Sequence, residues 1–251
     1  MLQGACLSAS TLLILLILFV ATFIRSAFGF GEALVAVPLL AFVIPVETAA
    51  PLAVLVSITV AAVALLQDWR KVHFASAAWL LLATLLGTPL GLLLLTAAPE
   101  QAVKAGLGAV IIAFSLYSLS SRHTLELKND RLAPLFGFLA GVLGGAYGMN
   151  GPPLVLYGSL RRWSPQHFRA TLQGYFLPAS ALAMTGYAVA GLWASAITEY
   201  YLLALPPVLI AVLLGRALNQ RLNLRIFLRL VHLGLIVIGA MLLLQSSGRL
   251  G

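Results

Sequence analysis

The 251-residue chain is 61% apolar and only 9% charged. Soluble domains carry about 25% charged residues, so this composition excludes an ordinary soluble domain and indicates a protein embedded in lipid. The net charge of +8 comes from cations at the ends of apolar runs. They form no basic patch interleaved with aromatic residues, so nucleic-acid binding is excluded as well.

Ten apolar runs, separated by charges, prolines and glycines, predict ten helices. They cover residues 10–30, 33–45, 48–67, 73–98, 102–120, 132–148, 152–162, 168–190, 197–219 and 226–246. Most reach the ~20 residues that span a bilayer, but the second and the seventh are short and each follows a glycine-rich break. The first run lacks the basic start of a signal peptide and is predicted to be retained. The fold class predicted is an all-α, multi-pass integral membrane protein of a cell (inner) membrane.

The two breaks belong to an internal repeat. Residues 27–30 match 146–149 at an offset of 119, and Gly91 matches Gly215 at an offset of 124. Trp69 matches Trp193 at the same offset as the glycines. We therefore predict two transmembrane repeats, 1–120 and 132–251, joined by a cytoplasmic linker over 121–131. Each repeat has about five helical segments, with a short interrupted helix near its start.

The distribution of cations orients these repeats. The positive-inside rule places four loops in the cytoplasm. Their cations are Arg70, Lys71, Arg122, Lys128, Arg131, Arg161, Arg162, Arg216, Arg221 and Arg225. Both termini are then predicted outside, and the odd number of segments inverts the second repeat relative to the first. Inverted repeats with broken helices are typical of secondary transporters.

The breaks themselves suggest a binding site. The free backbone N–H groups at a helix N-terminus, together with the helix dipole, attract anions. Glycine permits positive φ angles and close approach to a ligand, and proline suits the first turn of a helix. The candidates are Gly29, Gly31, Gly148, Gly151 and Pro152. Because the repeats are inverted, we expect the two breaks to meet near mid-membrane. The alternative role for glycine is close helix packing, which is the role expected for Gly87, Gly91, Gly137, Gly141 and Gly234.

Two charged residues are hard to place in a loop. A charge inside the membrane costs roughly 2.5–3.5 kcal/mol on insertion scales. Arg25 is a candidate counter-ion for the substrate, and Glu32 a candidate proton carrier. The alternatives are a structural ion pair between them, or side chains that snorkel to the membrane surface.

Further polar candidates lie in the second repeat. Arg169 either attracts anions at the inner mouth or is an ordinary cytoplasmic anchor. The other candidate pathway residues are Asn150, Thr171, Gln173 and Tyr175, with Ser57 and Thr59 in the first repeat.

No catalytic or cofactor site is predicted. The chain has one cysteine, Cys6, and its four histidines lack metal-ligand spacing. It also lacks a P-loop and a complete GxGxxG motif. Trp79, in the middle of the fourth helix, is expected to pack inside the protein. Small-residue helix faces permit a homodimer without requiring one.

The motifs around the breaks resemble those of a known family. Phe28-Gly29-Phe30-Gly31-Glu32, and Gly144-Gly145-Ala146-Tyr147-Gly148-Met149-Asn150-Gly151-Pro152-Pro153 followed by Arg169-Ala170-Thr171, are similar to the duplicated motifs of TauE/SafE permeases. In that family the positions of Phe30 and Glu32 are often glycine.

The resemblance implies transport, usually outward, of sulfite, an organosulfonate or a related small carboxylate. An anion-selective channel would have the same sequence features, and both uniport and proton coupling remain open.

Overall fold

The computed structural model describes residues 8–68, 74–120, 126–127, 129–218 and 224–247. Within these ranges the chain forms ten helices and no strand, which confirms the all-α prediction. They are α1 (Ala9–Phe28), α2 (Glu32–Leu40), α3 (Val46–Asp68), α4 (Phe74–Ala97), α5 (Glu100–Ser120), α6 (Ala133–Tyr147), α7 (Gly151–Leu160), α8 (Pro165–Val189), α9 (Ser195–Leu218) and α10 (Leu224–Ser246). The loop cations Arg70, Lys71, Arg122, Lys128 and Arg221 lie outside the described residues.

Six of these helices, α1, α3, α4, α5, α9 and α10, are long and apolar enough to cross a membrane. Large apolar side chains point outward from them, as in Leu86, which is 74% exposed, and Leu213, which is 64% exposed. Such surfaces need lipid as their solvent, so the protein is a multi-pass integral membrane protein. Trp79 is 63% exposed on α4, so the prediction that it packs inside was wrong.

Helices α4 and α6 pack so closely that their backbones touch. A Cβ atom added at Gly87 would lie 2.2 Å from the Phe138 carbonyl oxygen, and one at Gly145 would lie 2.2 Å from that of Thr88. Only glycine allows this approach, because it has no Cβ atom. Lipid offers no hydrophobic gain between helices, so helices in a membrane associate through such close contacts. The packing role expected for Gly87, Gly91, Gly137 and Gly141 is confirmed. For Gly234 it was wrong, since an added Cβ would meet nothing within 4 Å.

Helix pairs in this structure come in matching sets. Helix α1 packs on α9 and α6 on α4, while α3 packs on α9 and α8 on α4. If α1 to α5 are matched in order with α6 to α10, the pair α1–α9 corresponds to α6–α4. The pair α3–α9 corresponds to α8–α4 in the same way. The pairs α3–α8 and α5–α10 map onto themselves in the same way. This is the pattern that a duplicated five-helix unit produces; the duplication and its inversion stay predictions.

Two equivalent glycines show the same correspondence at atomic scale. A Cβ at Gly91 would lie 2.0 Å from the carbonyl oxygen of Val142 on α6. A Cβ at Gly215 would lie 2.6 Å from that of Phe23 on α1. Val142 and Phe23 are themselves separated by the repeat offset of 119. Gly91 and Gly215 match each other in sequence, and so do the two residues that they contact.

The segment before α6 is tied to the end of α7. The Leu127 N–H donates to the Leu160 carbonyl at 2.8 Å. Asp130 accepts a hydrogen bond from the Tyr157 hydroxyl and lies 3.0 Å from Arg161 Nε. Helices α6 and α7 thus form a hairpin whose two ends lie side by side. This agrees with placing the linker and the α7–α8 loop on one side of the membrane.

Candidate functional site

Two left-handed glycines reverse the chain between α1 and α2. Gly29, with φ 90°, ends α1, and its N–H donates to the Arg25 carbonyl at 2.6 Å. Gly31, with φ 99°, immediately precedes α2. A side chain at Gly31 would meet nothing within 4 Å. The backbone angle, and not lack of space, therefore requires glycine there.

The break between α6 and α7 is built in a similar way. Gly148, with φ 65°, ends α6, and its N–H donates to the Gly144 carbonyl at 2.9 Å. Asn150 precedes α7 but its side chain makes no capping hydrogen bond. The second residue of α7 is Pro152, which has no N–H. This helix end therefore offers fewer backbone donors than a helix without proline in its first turn.

The two breaks meet around one cavity. About 430 Å³ of empty space, part of it open to the outside, lies between them. Its lining comes from both breaks and from α3, α5 and α8. The residues are Arg25, Phe30, Gly31, Glu32, Ala33, Leu34, Ser57, Phe114, Gly148, Met149, Asn150, Gly151, Pro152, Phe176 and Ser180.

A buried ion pair lies on one wall of this cavity. Arg25 Nη1 donates to Glu32 Oε2 at 2.5 Å and to Ser57 Oγ at 2.5 Å. Thr22 Oγ1 donates to Glu32 Oε1 at 2.9 Å. The side chains of Arg25 and Glu32 are only 8% and 2% exposed. Snorkelling is thereby ruled out, and the interpretation of Arg25 and Glu32 as contacting partners is confirmed.

The wall behind the guanidinium is aromatic. Arg25 Cζ lies 5.1 Å from the centre of the Phe176 ring, within the range of a cation–π interaction. Phe30 and Phe114 complete the apolar part of the lining. An apolar surround with few polar groups strengthens the attraction between Arg25 and any anion that enters.

The cavity lining also includes a buried amide nitrogen that has no hydrogen-bond partner. Asn150 is 5% exposed, and its buried Nδ2 has no hydrogen-bond partner. The Tyr175 hydroxyl is near this amide but outside hydrogen-bond geometry to it. A buried donor without a partner costs free energy, commonly about 1–3 kcal/mol. An anion in the cavity would supply the missing acceptor.

The structure brings most of the predicted site residues together. Those that line the cavity are Arg25, Gly31, Glu32, Gly148, Asn150, Gly151 and Pro152. Gly29 forms the turn beside it. Thr171 and Tyr175 are buried but do not line it, and the Tyr175 hydroxyl pairs with Thr84 Oγ1 at 2.6 Å. The side chains of Arg169 and Gln173 lie outside the described residues.

Sequence reasoning missed Thr22, Phe114, Phe176 and Ser180. Ser180 had a usable signal, because it matches Ser57 at an offset of 123, within the range of the repeat. The two serine hydroxyl oxygens lie 3.5 Å apart where α3 crosses α8. Phe114 and Phe176 carry no such signal, since an aromatic residue in a helix usually indicates packing.

The charge of the site comes from the first helix break only. At the sequence offset of 119, the positions that match Arg25 and Glu32 are Gly144 and Gly151. The second break contributes the Asn150 amide in place of charge. The cavity is therefore symmetric in its backbone turns and asymmetric in its chemistry.

A multi-pass helical protein with a polar cavity between two broken helices has the architecture of a membrane transporter. The model of a family described as "Sulfite exporter TauE/SafE" matches residues 14–242. The chain is also 30% identical over 233 residues to a Cupriavidus necator protein named "Probable sulfite/organosulfonate exporter TauE", with 90% of each chain covered. No solved structure matches the chain. This protein belongs to the TauE/SafE family and is a membrane transporter.

Proposed function

We propose that the protein is a secondary transporter that exports a small anion, such as sulfite or an organosulfonate, by alternating access around the cavity. The observation that carries this proposal is the cavity itself. A buried guanidinium, Arg25, and an unpaired buried amide, Asn150, face it from two different helix breaks. An oxyanion has acceptors for both groups, and Arg25 supplies the opposite charge.

Alternating access requires two bodies that move relative to each other around a fixed site. The matching helix pairs and the counterpart contacts of Gly91 and Gly215 support two related repeats. Inversion of the second repeat would bring the breaks to the cavity from opposite faces of the membrane, with both termini outside. The same cavity, if it opened to both sides at once, would form an anion-selective channel.

A small carboxylate is the second candidate substrate. The cavity already holds one carboxylate, that of Glu32, against Arg25 and Thr22. The geometry that accommodates this group would also accommodate a short carboxylic acid anion. Sulfur oxyanions are favoured by the name of the Cupriavidus necator relative.

Transport is tested with purified protein in proteoliposomes loaded with sulfite, a two-carbon sulfonate, sulfate or acetate. We expect saturable efflux and counterflow for at least one sulfur oxyanion, because a carrier binds its substrate on each cycle. Asn150→Ala should lower flux about tenfold or more, since one charge-assisted hydrogen bond contributes about 1.5–3 kcal/mol. Asn129→Ala, in the exposed linker, is the matched control and should transport normally.

Three outcomes would contradict this proposal. Non-saturating flux with large single-channel currents would indicate a channel. Efflux of acetate alone would indicate a carboxylate carrier. No flux of any anion would remove the proposal altogether.

The inverted topology has its own test. Trp69→Cys and Trp193→Cys, each in a Cys6→Ser background, place one cysteine in each of two equivalent loops. We expect a membrane-impermeant thiol reagent to label Trp193→Cys from outside intact cells and Trp69→Cys only after the cells are opened. Labelling of both from the same side would exclude inversion.

A further inference from the structure

We infer that Glu32 occupies the place of the transported anion on Arg25, so that the anion binds only when Glu32 takes up one proton. This inference rests on the proposed function, because it assigns the coupling ion to the same site. It also gives the buried ion pair a role beyond stabilising the fold.

Glu32 and an incoming anion can compete for the same guanidinium nitrogen of Arg25. Arg25 Nη1 makes both hydrogen bonds described for this side chain, one to Glu32 Oε2 and one to Ser57 Oγ. The contact with Glu32 is monodentate, although an arginine fork can hold an oxyanion with two parallel bonds. An oxyanion bound through Nη1 would take the acceptor position that Glu32 Oε2 now fills, and the carboxylate would have to leave. An oxyanion bound only through Nη2 and Nε would leave Glu32 in place and add a second negative charge beside one guanidinium.

The balance of charge in the cavity also calls for a proton. Arg25 and Glu32 together are neutral, and both are almost fully buried. Adding an anion would leave one uncompensated negative charge in an apolar cavity, which is costly. A proton from the aqueous phase, added to a Glu32 carboxylate oxygen, restores neutrality. The guanidinium then pairs with the anion, and the new carboxyl O–H can bond Thr22 Oγ1, which lies 2.9 Å from Glu32 Oε1. On release, the anion and the proton leave and the ion pair re-forms.

The surroundings single out Glu32 as the proton acceptor. Helix α1 presents Arg25 and Thr22 to Glu32, and Ser57 of α3 accepts a hydrogen bond from Arg25. From α5 and α8 the cavity receives Phe114, Phe176 and Ser180, and none of these titrates.

One histidine among the described residues lies close to the cavity. This is His232 on α10, a helix that also packs on α2. Its ring lies 5.6 Å from that of Phe114, and its Nδ1 is 3.4 Å from Ser115 Oγ. It therefore stands behind the cavity wall and needs its own control.

The experiment measures binding of a two-carbon sulfonate, 2-hydroxyethanesulfonate, to purified protein between pH 5 and pH 9. A sulfonate stays ionised throughout this range, so any pH dependence belongs to the protein. For wild type we expect affinity to fall by up to about tenfold per unit rise in pH, because one proton is taken up with each anion. Binding in weakly buffered solution should also take up one proton per anion, read with a pH indicator.

Three variants show which side chain causes the pH dependence of binding. Glu32→Gln should bind the sulfonate more tightly and without pH dependence, and the anion should raise its thermal stability more than that of wild type. Glu47→Gln, an exposed carboxylate at the start of α3, should behave as wild type. His232→Gln should retain the slope of wild type.

The outcomes of this experiment are distinct. If wild type binds the sulfonate equally well at every pH and takes up no proton, this inference is overturned and the proposed function still stands. Loss of the slope in His232→Gln would also overturn it. Failure of both wild type and Glu32→Gln to bind any anion would instead contradict the proposed function.

Discussion

Arg25→Gln is expected to abolish anion transport and to destabilise the protein by about 3–5 kcal/mol. The loss of stability follows because Glu32 would remain buried, at 2% exposure, without its cation. The loss of transport follows because no other described cation lines the cavity. Flux in proteoliposomes and the free energy of unfolding in detergent measure the two effects separately.

The double variant Arg25→Gln, Glu32→Gln separates stability from function. Replacing both partners of a buried pair by neutral groups is often close to neutral for stability. We therefore expect the double variant to recover most of the lost stability and none of the transport. A double variant as unstable as the single one would mean that the guanidinium is held chiefly by its other contacts. Continued flux in Arg25→Gln would show that the anion takes another route.

Lys104→Gln is the matched control for this pair. Lys104 and Glu100 form an ion pair at 3.0 Å one turn apart on α5, and Glu100 is 55% exposed. Such a pair contributes about 0.2–1 kcal/mol. Its removal should leave both stability and flux close to wild type.

Gly91→Ala and Gly215→Ala form the second prediction of large effect. Each added methyl group would overlap a backbone carbonyl of the neighbouring helix, at 2.0 Å for Gly91 and 2.6 Å for Gly215. Backbone cannot rotate away as a side chain can, so the helices must separate. Overpacking of this kind costs typically about 1–3 kcal/mol. We expect lower midpoints of thermal unfolding for both, with the larger decrease for Gly91→Ala.

Gly234→Ala supplies the control for these substitutions. Its added Cβ would meet nothing within 4 Å, and alanine favours a helix over glycine by about 0.8–1.0 kcal/mol. Its unfolding midpoint should be unchanged or slightly raised. Equal midpoints for all three variants would show that the close contacts of α4 and α9 do not limit stability.

Much of the fold could be predicted because the relevant signals are local. Runs of apolar residues set the helices, and the glycines of each break set their ends. Gly29, Gly31 and Gly148 were identified because positive φ angles favour one residue type, and all three have such angles in the structure. Arg25 and Glu32 were conspicuous because charge is expensive inside a membrane.

The remaining features depend on three-dimensional placement. Gly29 and Gly31, both with positive φ angles, lie between Arg25 and Glu32. The direction in which these two glycines turn the chain decides whether the two side chains meet. Trp79 was misplaced because its depth within a helix does not reveal which face it occupies. Tyr175 was expected in the pathway because it is polar, but its hydroxyl is satisfied by Thr84 on α4.

The long-range pairing of α1 with α9 has a consequence for biosynthesis. Helix α1 makes its most extensive contacts with α9, near the other end of the chain. While the ribosome is still making the C-terminal half, α1 has no α9 to cover it, and Arg25 lacks its final enclosure. The early intermediate must then be sheltered by lipid headgroups, by the insertion machinery or by chaperones. Either repeat expressed alone should be degraded rather than accumulate.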